Sequence, residues 1–215
     1  TVNIYGYQPS VGTSFIPLWE NATDYTYPAS AIVMYLSGSN GDTAKITVVG
    51  LDASYAPISE VVTLNGTTPV ATTKSYLRIN SMFVSTGSAT NPAGAVYLKN
   101  SGGTVTYAQI NAGVGRTQAA IYTVPAGHTF FLQRVAIYTS LNGNDYVTYR
   151  NKTISANGVV QLTQQAPFAM SYDALRVMPR PFLEKTDIQL QCKVNSGTGS
   201  VAIAQEGYLI ADSYD

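Results

Sequence analysis

One histidine, one cysteine and twelve carboxylates are the side chains of this 215-residue chain from which catalysis could be built. His128 lies in Val124-Pro-Ala-Gly-His-Thr129, a turn that enters an apolar run. A histidine titrates near neutrality and can serve as a general base or a metal ligand. It has no second histidine for a two-His metal site, and no Gly-x-Ser-x-Gly elbow accompanies it. A polar turn residue is the simpler reading. Cys192 falls among Ile188, Leu190 and Val194 on the apolar side of an alternating segment. A nucleophilic thiol needs an electropositive, partly exposed setting, so core packing fits better. A glycosidase needs only two carboxylates. The twelve here are scattered through turns and polar strand faces, and Glu206 interrupts a mostly apolar final strand, where a buried arginine partner would suit it. Asn40-Gly41-Asp42 and Asn142-Gly-Asn-Asp145 offer oxygen ligands, but neither has the spaced acidic loop of a calcium-binding hand. Gly113-Val-Gly-Arg116 lacks the Gly-Lys-Ser/Thr ending of a phosphate loop. No catalytic residue, cofactor site or metal site is assigned.

The tyrosines are more informative. There are sixteen, and Tyr5, Tyr7, Tyr25 and Tyr27 stand in segments with little apolar company. Exposed tyrosine gives large contact area at small torsional cost, and it also stacks on sugars. These four are the candidate interface residues. Core packing with strand propensity is the alternative for them.

The elements that must carry such residues are strands. Asp187-Ile-Gln-Leu-Gln-Cys-Lys-Val194 alternates polar and apolar, the pattern of a strand with one wet and one buried face. Residues 31–36 and 130–138 are more continuously apolar. Further strands are expected over residues 45–51, 58–64, 76–84, 105–110, 119–124, 146–150, 159–162 and 201–210. Asn65-Gly66, Asn157-Gly158 and other Gly/Asn turns separate them, and Asn-Gly suits a tight hairpin turn. No helical period is sustained; residues 166–175 are the one place where a short helix would fit. The expected fold class is all-β, an antiparallel β-sandwich or jelly roll made of two similar β lobes. Residues 76–85 and 131–140 look loosely alike, and the Ser/Thr/Asn/Gly-rich stretch 87–103 lies near the middle. The expected division is an N-terminal arm or first-lobe edge over residues 1–29, one lobe over 30–103 and a second over 104–215. A single sandwich with interleaved strands is the alternative.

Composition sets the class. Lys and Arg number 12, as do Asp and Glu, and charged residues make up 11 % of the chain. A neutral chain with no basic run is a poor nucleic-acid binder. A hydrophobic share of 45 % argues against disorder, and no stretch approaches the roughly 18 apolar residues of a membrane span. No secretory signal is visible at the N-terminus. Sequons at Asn21, Asn65 and Asn151 are expected by chance in so Asn- and Thr-rich a sequence.

Several segments resemble the β-rich accessory structural proteins of tailed bacteriophages. They are VGLDASYAPISEVVTLNGTTPV over residues 49–70 with TTKSYLRIN over 72–80, QINAGVGRTQAAIYTVPAGHT over 109–129, and PFLEKTDIQL over 181–190 with GYLI over 207–210. The resemblance covers most of the chain from residue 49 onward and carries no catalytic signature. It implies a non-enzymatic virion protein, assembled in the host cytoplasm. The expected role is capsid decoration (cement), as a homotrimer against major capsid protein subunits, with no nucleic-acid or membrane partner. A neck, collar or baseplate part is the alternative within the same class. A carbohydrate-binding module or adhesin is the alternative outside it. A neutral surface suits such a role, because many identical copies then pack without mutual repulsion.

Overall fold

The computed structural model describes residues 1–88, 90–141, 144–164 and 167–212, apart from the side chain of Gln164. The described residues form only strands, turns and loops. In chain order the strands are β1 (Val2–Val11), β2 (Ile16–Pro17), β3 (Ile32–Gly38), β4 (Lys45–Leu51), β5 (Pro57–Thr63), β6 (Val70–Tyr76), β7 (Arg78–Val84), β8 (Val96–Lys99) and β9 (Thr106–Ile110). They continue with β10 (Ile121–Thr123), β11 (His128–Thr139), β12 (Val147–Ile154), β13 (Val160–Gln164), β14 (Ser171–Phe182), β15 (Asp187–Val194) and β16 (Gly199–Ala211). The all-β class is as the alternation indicates. Residues 171–175 are strand rather than helix, and Ala166 lies outside the described residues.

The chain divides into two compact units. Unit 1 is Thr1–Asp24 together with Gln118–Asp215, and unit 2 is Tyr25–Thr117. The junctions therefore fall at 24/25 and 117/118, not near residues 29 and 103. The physical reason is pairing. Residue 103 sits in the turn between β8 and β9, which are hydrogen-bonded neighbours. Glycine and serine mark that hairpin turn, not a boundary. Of the arm and edge readings for residues 1–29, β1 is an edge strand of a unit 1 sheet, while residues 25–29 belong to unit 2. Residues 2–8 of β1 run in register along β16, from Val2 opposite Gly207 to Gln8 opposite Val201.

Unit 1 has two antiparallel sheets, β1-β16-β11-β14 and β10-β15-β12-β13, with β2 also beside β15. Its core takes Ile4 and Val11 from β1, Phe130, Leu132, Val135 and Ile137 from β11, and Tyr149, Leu190, Cys192 and Ile203 from the strands around them. Unit 2 has sheets β6-β3-β8-β9 and β5-β4-β7 over a separate core that includes Met34, Leu36, Ile46, Val48, Tyr76, Met82 and Leu98. The two segments that look alike in sequence hold different places. Within unit 2, β7 is an edge strand, whereas β11 lies inside its sheet in unit 1.

The alternation of β15 marks its two faces correctly but not their surroundings. Asp187, Gln189 and Gln191, on the polar face, are as buried as Ile188 and Leu190 opposite. The Arg150 Nε donates to Gln191 Oε1 at 2.8 Å, and the Phe15 ring lies over Arg150 and Lys193, so the segment before β2 covers this face. Period-two polarity cannot distinguish water from a covering loop.

Candidate interaction surface

Unit 1 has a closed side and an open side. On the closed side the chain fills the space between β1 and β15 with its own backbone. The Tyr7 N–H donates to Gln118 O, Ala120 N–H to Leu18 O, and Leu18 N–H to Leu190 O. On the other side β14 ends one sheet and β13 the other, and among the described residues no further strand pairs with either.

The open side is where large apolar side chains stand in water. Val177 is 99 % exposed, Met178 86 % and Leu175 71 %, all on β14. Met170 and Leu183, flanking that strand, are exposed too, as are Val159, Val160 and Leu162 on and before β13. The backbone explains Val177 and Met178. β14 pairs with β11 through Leu175 opposite Arg134 and again through Arg180 opposite Leu132. Residues 176–179 thus stand against Gln133 alone. The surplus is pushed outward as a bulge, with Val177 and Met178 at its tip. Single exposed hydrophobics are ordinary, but concentration on one edge marks a contact surface.

The charges around this edge are distinctive. Arg176 Nε is buried and makes no hydrogen bond among the described residues. Arg180 reaches Thr163 Oγ1 on β13 with Nη1 at 3.4 Å and Nη2 at 3.3 Å, tying the two edges together. Burial and the neighbouring Arg176 both hold the Arg180 guanidinium below its ordinary pKa. Asp173 is already taken: Arg134 donates to it twice, Nε at 3.0 Å and Nη2 at 2.7 Å, which lowers its pKa. Beside Arg180 lies a cleft of about 420 Å³, lined by Val159, Gln161, Phe182, Leu183 and Glu184 among others.

The four candidate tyrosines are split between the two units and differ in burial. Tyr5 is 38 % exposed on β1 and Tyr7 is half-buried. Tyr25 is 9 % exposed, and its hydroxyl donates to Tyr107 O within unit 2 at 2.8 Å. Tyr27 packs edge-on against Tyr25 with ring centroids 5.0 Å apart, under the Arg78 guanidinium. Tyr25 is a core residue, because a segment poor in aliphatics still buries its aromatics.

The groups considered for catalysis have local partners. His128 Nδ1–H donates to Ala126 O at 3.0 Å at the start of β11. Cys192 is fully buried, and burial pushes its thiol pKa up. Glu206 does meet an arginine, Arg134, at 3.5 Å, but at the surface rather than in the core. The Asp42 carboxylate accepts from Ala93 N–H and Gly94 N–H at 3.0 and 2.9 Å, so its turn is closed by hydrogen bonds. Asp145 accepts from Ser196 Oγ at 2.6 Å, while Asn142 and Gly143 lie outside the described residues. Among the described residues no group of three or more His, Cys, Asp or Glu is placed to hold a metal ion. One carboxyl is unusual. Burial pushes Glu20 up to about 7, and its Oε1 accepts from the backbone N–H of Gln118.

Neither the bulge nor the open edge is visible in the sequence. Leu175-Arg-Val-Met-Pro-Arg-Pro181 shows no clean alternation, and its prolines were the available signal of an edge, since proline is confined to edges and bulges within sheets. Comparison with known proteins returns no matching family model, no matching curated protein and no matching solved structure.

Proposed function

We propose that this chain is a non-enzymatic structural subunit of a tailed-phage virion, a capsid decoration (cement) protein that acts as a homotrimer and clamps major capsid protein subunits. The observation that carries an assembly role is the apolar, bulged open edge of unit 1, which suits protein contact and is costly to leave in water. The phage setting rests on the resemblance of residues 49–80, 109–129 and 181–190. The low charge adds support: with 11 % charged residues, many copies pack side by side without strong mutual repulsion. Clamping needs no tight single contact, because weak contacts to neighbouring shell subunits add through multivalency.

Electron micrographs of purified particles made with and without the protein test this reading. Cement is expected in hundreds of copies over the head, and heads lacking it should burst at lower temperature. Density confined to the neck or baseplate, in about a dozen copies, replaces cement with a connector role. Absence from particles overturns the virion reading altogether.

A further inference from the structure

We propose that the open side of unit 1 is covered by a second copy of this chain, with β14 of one copy lying along β13 of the next. The inference rests on the assembly-subunit reading above and names the partner of that surface. Three observations carry it.

The first is area. Eight aliphatic or methionine side chains on or beside the two edge strands, each more than half exposed, present on the order of 800 Å², what one partner contributes to a standard stable interface. The second is the asymmetry of unit 1. Its β1/β10 side is sealed by residues 18 and 118–120, so the β13/β14 side is the one that offers free strand edges. The third is charge. β14 carries Arg176 in its bulge and Arg180 just after it, and the one carboxylate on that strand, Asp173, is held by Arg134. Pairing β14 with its own copy across a two-fold axis centred on the bulge would set Arg176 against Arg180. No residue of β13 is charged, and Val160 and Leu162 lie exposed on it. Pairing β14 with a neighbour's β13 therefore removes the repulsion and covers apolar side chains on both strands.

The contact is divided along β14. Pro179 and Pro181 lack N–H groups, which blocks strand addition over that half. Residues 171–175 keep theirs and are the part that extends a neighbour's sheet. Val177 and Met178 act as an anchor against Val160 and Leu162 of the next copy. This contact joins unlike strands, and in the trimer proposed above each copy gives β14 to one neighbour and β13 to the other, which closes the ring and leaves no open filament.

Cross-linking between two single variants tests the pairing. Leu162→Cys and Leu175→Cys place exposed thiols on β13 and β14, and the native Cys192 is buried away from the reagent. With a short bis-maleimide, a two-chain band is expected in the mixture of the two variants and not in either alone. A band from Leu175→Cys alone means β14 meets β14, and that overturns the inference. So does a wild-type mass of 22.9 kDa in light scattering, the mass of one chain. As a second arm, Val177→Asp with Met178→Asp should abolish the ring and leave the strand signal in circular dichroism and the buried emission of Trp19 unchanged. A ring that survives this pair of substitutions also overturns it. A wild-type ring that never appears on particles leaves this inference standing and removes the proposed function instead.

Discussion

At the scale of single residues, Glu20 is the described carboxyl that burial shifts most. Its carboxyl is drawn out of water beside Trp19, whose indole N–H donates to Thr23 O. Protonation is therefore favoured in the folded state, with a pKa of about 7 against an ordinary value of 4.5. The native state holds an extra proton between those two values, so stability falls as pH rises from 4.5 to 7 and is level above that. Replacing Glu20→Gln keeps an oxygen for the Gln118 N–H and removes the charge. We expect the variant to equal the wild type near pH 4 and exceed it by roughly 2 kcal/mol at pH 8, several degrees in Tm. Trp19 fluorescence melts at the two pH values measure this; equal gains at both would refute the buried-charge account. Gly207 makes a different demand. A Cβ there would run into the Phe131 carbonyl oxygen and lie 2.6 Å from the Phe130 ring. One of those neighbours is backbone and the other a core aromatic, so neither yields cheaply. Gly207→Ala is expected to destabilise unit 1 by about 3 kcal/mol, read as an early loss of the Trp19 signal on denaturant titration.

At the scale of elements, β1 decides what the N-terminus is for. Pro9, Pro17 and Pro28 suggest a chain too broken for a strand, yet Val2–Val11 is strand. Pro9 falls where the register with β16 shifts, between Gln8 and Val11, so its missing N–H interrupts no regular ladder. Ile4, Val11 and Leu18 are in the core of unit 1 and stabilise it by roughly 1.5–3 kcal/mol apiece, which together is comparable to the whole stability of a domain. Deleting residues 1–27 should therefore unfold unit 1, with loss of its strand signal and native Cys192 becoming reactive to a thiol reagent. A truncated protein that stays folded with Cys192 protected would restore the idea of a detachable arm. The strands readable from sequence were those with clean alternation or an apolar run, such as β4, β11, β15 and β16. β1, β6 and β14 escaped, and each carries a register shift against its neighbour that puts its residues out of step with strict alternation. The same cause hid the candidate surface. Val177 and Met178 look like core residues by type, and only the count of residues between Leu175 and Arg180 against β11 turns them outward.

At the scale of the whole molecule, the chain leaves unit 1 after Asp24 and re-enters it at Gln118, where the Glu20 carboxylate and Tyr7 N–H meet the backbone. Unit 2 is thus a continuous insertion, and unit 1 is built from two separated pieces of sequence. No composition shift announces this, because both units draw on the same Thr-, Tyr- and Gly-rich vocabulary. The expected boundary at residue 103 followed the most loop-like stretch, whereas the true junctions are set by which strands pair. Unit 2 keeps every strand of both its sheets and its whole core within Tyr25–Thr117. Its clustered core is thus supplied by its own strands, and we expect residues 25–117 to fold alone with a cooperative melt. Unit 1 has a contrasting requirement. Residues 118–215 by themselves lack β1 and leave one edge of β16 unpaired, so they should aggregate. Residues 1–24 joined to 118–215 through a short Gly-rich linker should instead fold with Trp19 buried. The proposed self-contact lies wholly on β13 and β14, so this joined unit 1 is expected to form the same ring as the full chain, and isolated unit 2 to remain monomeric. Light scattering of the two fragments decides the matter. An oligomer formed by unit 2 alone, or a monomeric joined unit 1 that is correctly folded, would move the assembly surface to unit 2 and away from the bulged edge of β14.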